Sequence, residues 1–165
     1  MQGRYRYVRR RKDSQLQARI LERLGFIAYA TGDIDAASDI ADEALTLLDR
    51  TNQPGVTRTR TIVTAAKIAV SRGQLESALQ LVREALAMTH RAGLLGYAEI
   101  LATTSEVLAA LGESELAAII DGFLSTVGVA TKIAAAEHQG MPQWKRGASM
   151  DRDEVVRLAL GTAAV

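Results

Sequence analysis

The chain has 165 residues, 48% of them hydrophobic, which suits one domain with a real core and is too apolar for disorder throughout. It has no Cys, so disulfides and thiolate metal sites are excluded, and no apolar run approaches the roughly 20 residues that span a bilayer. The net charge of +1 conceals an asymmetry: residues 1–12 carry six cations and no acid, which leaves about −5 on the remainder.

In chain order, MQGRYRYVRRRK opens a basic N-terminal arm over residues 1–13. The stretch behind it, KDSQLQARILERLG, is amphipathic and charged rather than apolar. That argues against a secretory signal and makes a cytoplasmic location the expectation. Leu16, Ile20, Leu24 and Ile27 then recur at helical spacing and predict a helix with that stripe turned to the core. Gly32 ends it, Asp33 suits the start of the next helix, and Ile34, Ala37, Ala41, Ala44, Leu45 and Leu48 form the next apolar face.

The same plan recurs around Gly73 and Gly112, 41 and 39 residues apart. Five residues after each glycine stands an alanine: Ala37, Ala78 and Ala117. Twelve residues after the first two stand Ala44 and Ala85, and after the third Leu124. The helices before the second and third glycines carry Ile62, Ala65, Ala66 and Ala69, then Leu101, Leu108 and Leu111. A period near 40 means stacked supersecondary units. It predicts antiparallel helix pairs at 14–31/34–50, 55–72/75–91 and 96–111/114–127, broken by Pro54-Gly55 and Gly93-Leu-Leu-Gly96. The domain plan is the arm, three units over 14–128 (14–50, 55–91 and 96–127), and a C-terminal cap over 129–165 with a short helix at 151–161.

Leu24-Gly25, Gly32, Ala37 and Ala44 resemble the tetratricopeptide repeat; the second unit keeps Gly73, Ala78 and Ala85, and the third keeps Gly112 and Ala117. The Trp and closing Pro of that motif are absent, and the period exceeds its usual length. This longer form resembles the helical repeats of bacterial transcriptional regulators of the LuxR/MalT type, which carry signalling ATPase or cyclase modules. Residues 144–160, WKRGASMDRDEVVRLAL, resemble the closing signature of those regulators through Trp144, Gly147, Ser149, Met150, Glu154, Val155, Ala159 and Leu160. The resemblance implies an all-α, right-handed superhelix of three helix pairs with a C-terminal capping helix. It also implies a role in bacterial regulation. The regulators' phosphate loop is missing, and no helix-turn-helix is evident. Read from the residues alone, Asp151 and Glu154 form a capping box with Asp in place of Ser or Thr, and Trp144 closes the end of the stack.

Nothing in the chain assembles into catalytic chemistry. His90 and His138 sit near predicted helix ends with no repeated ligand spacing, and the acidic pairs Asp33/Asp35, Asp39/Asp42/Glu43 and Glu113/Glu115 read as solvated helix faces. The reading is therefore a non-enzyme without cofactor or metal, whose partner is a protein or peptide, a second copy of the chain included. Helix-pair solenoids bind on the face lined by the first helix of each pair. That face holds Arg19, Glu22, Phe26 and Tyr29, then Arg60, Val63, Lys67 and Val70, then Glu99, Thr103 and Glu106. Phe26 fits either the groove or the core. The alternative is nucleic-acid association through Arg4, Tyr5, Arg6, Tyr7, Arg9, Arg10, Arg11 and Lys12, with arginines on phosphates and tyrosines stacked on bases.

Overall fold

The computed structural model describes residues 2–52, 55–91, 96–129 and 138–162, with side chains described from residue 13 onward. Among these residues the chain is all-helical and has no strand. The helices are α1 (Gln2–Ala30), α2 (Ile34–Arg50), α3 (Val56–Ser71), α4 (Leu75–Arg91), α5 (Tyr97–Ala110) and α6 (Ser114–Thr126). Two short ones follow, α7 (Pro142–Ala148) and α8 (Arg152–Leu160). Five of the six long helices lie within two residues of the ranges the periodicity predicts. The exception is α1, which begins at Gln2 rather than near residue 14.

Three turns of one geometry join α1 to α2, α3 to α4 and α5 to α6. In the first, the Gly32 N–H donates to the Tyr29 carbonyl and the Asp33 N–H to the Ala28 carbonyl. Gly73 with Gln74, and Gly112 with Glu113, make the same two bonds. The glycines take φ of +86°, +72° and +85°, the left-handed backbone that satisfies the last carbonyls of a helix without a Cβ clash. Such short connections fold each pair back on itself. The alanines after the turns, Ala37, Ala78 and Ala117, are fully buried, as are Ala44, Ala85 and Leu124. Small residues there let the paired helices come close.

The main core lies among α3 to α6 and α8. It contains Ile62, Leu86, Leu101, Leu108, Ile120 and Leu124, joined by Val155 and Val156 from α8. Each such side chain contributes about 1.5–3 kcal/mol on burial. A smaller cluster of Ala37, Ala41 and Ile68, with Ala28, Tyr29 and Ile34 against it, ties α1 and α2 to α3.

One expectation is overturned. The stripe Leu16, Ile20, Leu24 and Ile27 does not face the core; these residues are 57%, 50%, 47% and 54% exposed. Among the described side chains of α1 the buried positions are Ala18, Glu22 and Gly25, with Ser14, Leu21, Ala28 and Tyr29 half-buried. Small side chains admit the close approach to α2, so α1 docks through its least bulky face and turns its most apolar one outward.

At the other end α7 lies against α6. A Cβ on Gly122 would overlap the Trp144 carbonyl, and one on Gly147 would overlap the Ile119 carbonyl, so the two backbones meet through paired glycines. Helix α8 starts with the expected capping box: the Glu154 N–H donates to Asp151 Oδ1 at 2.8 Å and the Asp151 N–H to Glu154 Oε2 at 2.8 Å. Arg83 Nε donates to the Ala159 carbonyl at 3.2 Å, and the Arg152 guanidinium lies 5.6 Å from the Tyr97 ring centre.

Candidate binding groove

The starts of α1's exposed face and of α3 bound a groove of about 450 Å³. Leu16, Ile20, Leu24 and Val56 supply its apolar surface, with Arg19, Glu22, Arg23 and Arg60 around them. Val56 and Arg60 also border a recess of about 60 Å³, which continues to Thr59, Val63, Thr89, Gly96, Glu99 and Ile100. The recess is therefore set between the first turns of α3 and α5 and the last turn of α4. Gly55 and Gly96 precede α3 and α5 and offer no side-chain cap.

Electrostatics single out two arginines. Arg58 pairs with Asp49 at 2.6 Å, Arg72 with Asp35 at 2.7 Å and Lys67 with Glu99 at 3.4 Å. Arg19 and Arg60 border the groove and have no ion-pair partner among the described residues. The hydroxyls of Thr59 and Thr89 are buried without a hydrogen-bond partner and line the recess. A buried polar group left unpaired costs about 1–3 kcal/mol, so a ligand that supplies a partner recovers that cost.

The structure gathers part of the expected face and disperses the rest. Arg19, Glu22, Arg60, Val63 and Glu99 border the groove or its recess, and Lys67 reaches the same region through Glu99. Phe26 is exposed. Tyr29 packs against the Ala37 cluster and Val70 against Ala69, Ala78 and Val107. Thr103 is buried and donates to the Glu99 carbonyl at 3.0 Å, while Glu106 is half-buried further along α5. The side chains of Arg4, Tyr5, Arg6, Tyr7, Arg9, Arg10, Arg11 and Lys12 lie outside the described residues.

A polar network escapes sequence reasoning. Ser105 Oγ donates to Asp121 Oδ1 at 2.7 Å, and His138 Nδ1 lies 2.7 Å from Asp121 Oδ2. All three residues are buried. The order is serine–carboxylate–imidazole, whereas nucleophilic activation needs the imidazole between the other two. The network joins α5, α6 and the segment that enters α7. Only the sequential distance hid it, since no motif links residues 105, 121 and 138. Among the described residues no three His, Cys, Asp or Glu side chains cluster as metal ligands, and no described helix is long and apolar enough to cross a membrane.

No family model, curated protein or solved structure matches the chain.

Proposed function

We propose that the chain is a non-catalytic helical-repeat scaffold that recognises a peptide or protein segment in the groove between α1 and α3. The observation that carries this reading is the groove itself: apolar walls at Leu16, Ile20, Leu24 and Val56, with Arg19 and Arg60 unengaged at its border. Apolar walls supply binding area, and an arginine beside them orients a ligand through charge-assisted hydrogen bonds. The turn geometry repeated at Gly32, Gly73 and Gly112 supports a tetratricopeptide-like superhelix. The resemblance to LuxR/MalT-type regulators makes bacterial regulation the setting, with transcription as the process served.

A second reading draws on one observation, the six cations in residues 1–12. It makes that segment a nucleic-acid-binding arm, whose affinity falls steeply as salt rises.

Affinity capture from host lysate, assayed for both protein and nucleic acid, separates the two. The scaffold reading expects a stoichiometric protein that survives nuclease and moderate salt. That protein remains bound when residues 1–12 are deleted, and its affinity drops about tenfold with Arg60→Glu, the loss expected of an oriented interface arginine. Nucleic acid that leaves as salt rises, with no protein retained, overturns it.

A further inference from the structure

Two unpaired hydroxyls meet at the recess between α3, α4 and α5. Thr59 is 7% exposed and Thr89 3%, both line the recess, and neither hydroxyl has a hydrogen-bond partner among the described residues. Thr61, Thr103 and Thr104 each donate to the carbonyl four residues back. Buried polar side chains are nearly always satisfied in this way, so two orphans at one recess mark a place where an acceptor is expected. The start of α5 reaches the same place through Gly96. The first N–H groups of a helix have no partner within it and favour an anion, and Gly96 adds no side chain to cap them. Arg60 borders the recess and has no ion-pair partner among the described residues.

We propose that the recess receives the carboxylate of an aspartate or glutamate side chain, carried by the segment that lies in the α1–α3 groove. This assignment rests on the peptide-groove reading and specifies the chemistry of its ligand.

Charge and size select the group. Arg60 brings one uncommitted cation, and Glu99, the acid in the lining, is offset by Lys67 at 3.4 Å. One negative charge therefore balances the recess, whereas a doubly charged phosphate would leave a surplus beside Glu99. A space of about 60 Å³ takes a small head group on a short stem. A chain terminus would bring its backbone and its own side chain with it. Val56 and Arg60 border both the groove and the recess, so an acidic side chain on a segment in the groove need only cross the first turn of α3. An ionised carboxylate accepts up to about four hydrogen bonds. The Arg60 guanidinium, the two threonine hydroxyls and the first N–H groups of α5 are the donors on hand.

The recess alone is probed with acetate at constant ionic strength, against acetamide as its neutral isostere. Backbone amide signals of Tyr97, Ala98 and Glu99 in proton–nitrogen spectra of the full chain report occupancy in every variant. Acetate is expected to shift them saturably, with a Kd of about 10 mM, and acetamide to leave them in place. Arg60→Gln, and Thr59→Val combined with Thr89→Val, are each expected to weaken acetate at least tenfold. Valine keeps the shape of threonine, and thermal unfolding verifies the fold. The blocked tripeptide acetyl-Leu-Glu-Leu-amide is expected to bind at least tenfold tighter than acetate, the factor one buried leucine supplies, and its glutamine counterpart to lose that affinity. Leu24→Asp touches the groove alone and is expected to remove the leucine gain without changing acetate binding. Acetate that binds no better than acetamide, or equally well in both sets of variants, overturns the proposal. So does a preference for acetyl-Leu-Leu with a free C-terminus over the glutamate peptide. A partner protein captured with affinity unchanged in the double threonine variant overturns it and leaves the groove reading intact. Acetate binding with no gain from the leucine peptides overturns both.

Discussion

Two mid-helix glycines offer a matched experiment. Gly122 lies within α6 and Gly25 within α1, and neither has a left-handed backbone. Gly→Ala inside a helix gains about 1 kcal/mol from propensity alone. At Gly25 a Cβ would find Ile40 Cγ2 at 3.4 Å and the Ala37 carbonyl at 3.8 Å, which is ordinary packing. Gly25→Ala should therefore keep that gain and raise Tm by about 2–4 °C. At Gly122 the Cβ would overlap the Trp144 carbonyl, a backbone atom that cannot rotate aside. The α6 and α7 backbones must part, at the upper end of the 1–3 kcal/mol that overpacking costs. Less the propensity gain, about 2 kcal/mol is lost, or a Tm fall of about 4–8 °C. Thermal unfolding measures the shift. Trp144 is the single tryptophan, so its emission reports the displacement directly and should move to longer wavelength. If Gly122→Ala matches Gly25→Ala in both readouts, the close α6–α7 contact is refuted.

Asp121→Ala should cost about 1–3 kcal/mol in urea unfolding, because it leaves the His138 ring buried without its carboxylate partner, while Ser105 keeps only the Ala117 carbonyl at 3.3 Å. A loss under about 1 kcal/mol would show that water reaches the site. Thr89→Val preserves volume and removes an unpaired buried hydroxyl, so it should be neutral or stabilise by about 1 kcal/mol; clear destabilisation would reveal a partner for that hydroxyl.

The glycine spacing made the helix pairs readable, because turn chemistry and burial agree at the same positions. Gly32, Gly73 and Gly112 stop helices, and Ala37, Ala78 and Ala117 are buried at a fixed distance beyond them. The Asp151–Glu154 box was equally legible, since both partners lie within one turn of helix. Helix α1 misled because apolar periodicity finds the greasiest face, whereas α2 is met by Ala18 and Gly25, which carry little hydrophobic signal. Helix α7 is only seven residues long and includes Pro142 and Gly147, so it lacks the length from which a period is read. Of the candidate groove, Arg60 and Val63 could be assigned from their place on a first helix. Thr89 could not, because it arrives from the end of a second helix, outside the face that the repeat logic nominates.

The paired glycines at α6 and α7 also bear on how large an assembly this chain can build. They seal one end of the helix stack with a backbone-to-backbone latch, while the other end presents bare aliphatic side chains. A head-to-tail filament needs an adhesive surface at one end and a matching receptor at the other. Here α7 covers that face of α6 with closely packed backbone. The two ends are therefore unlike, so a head-to-tail contact between copies would set exposed aliphatic side chains against packed backbone.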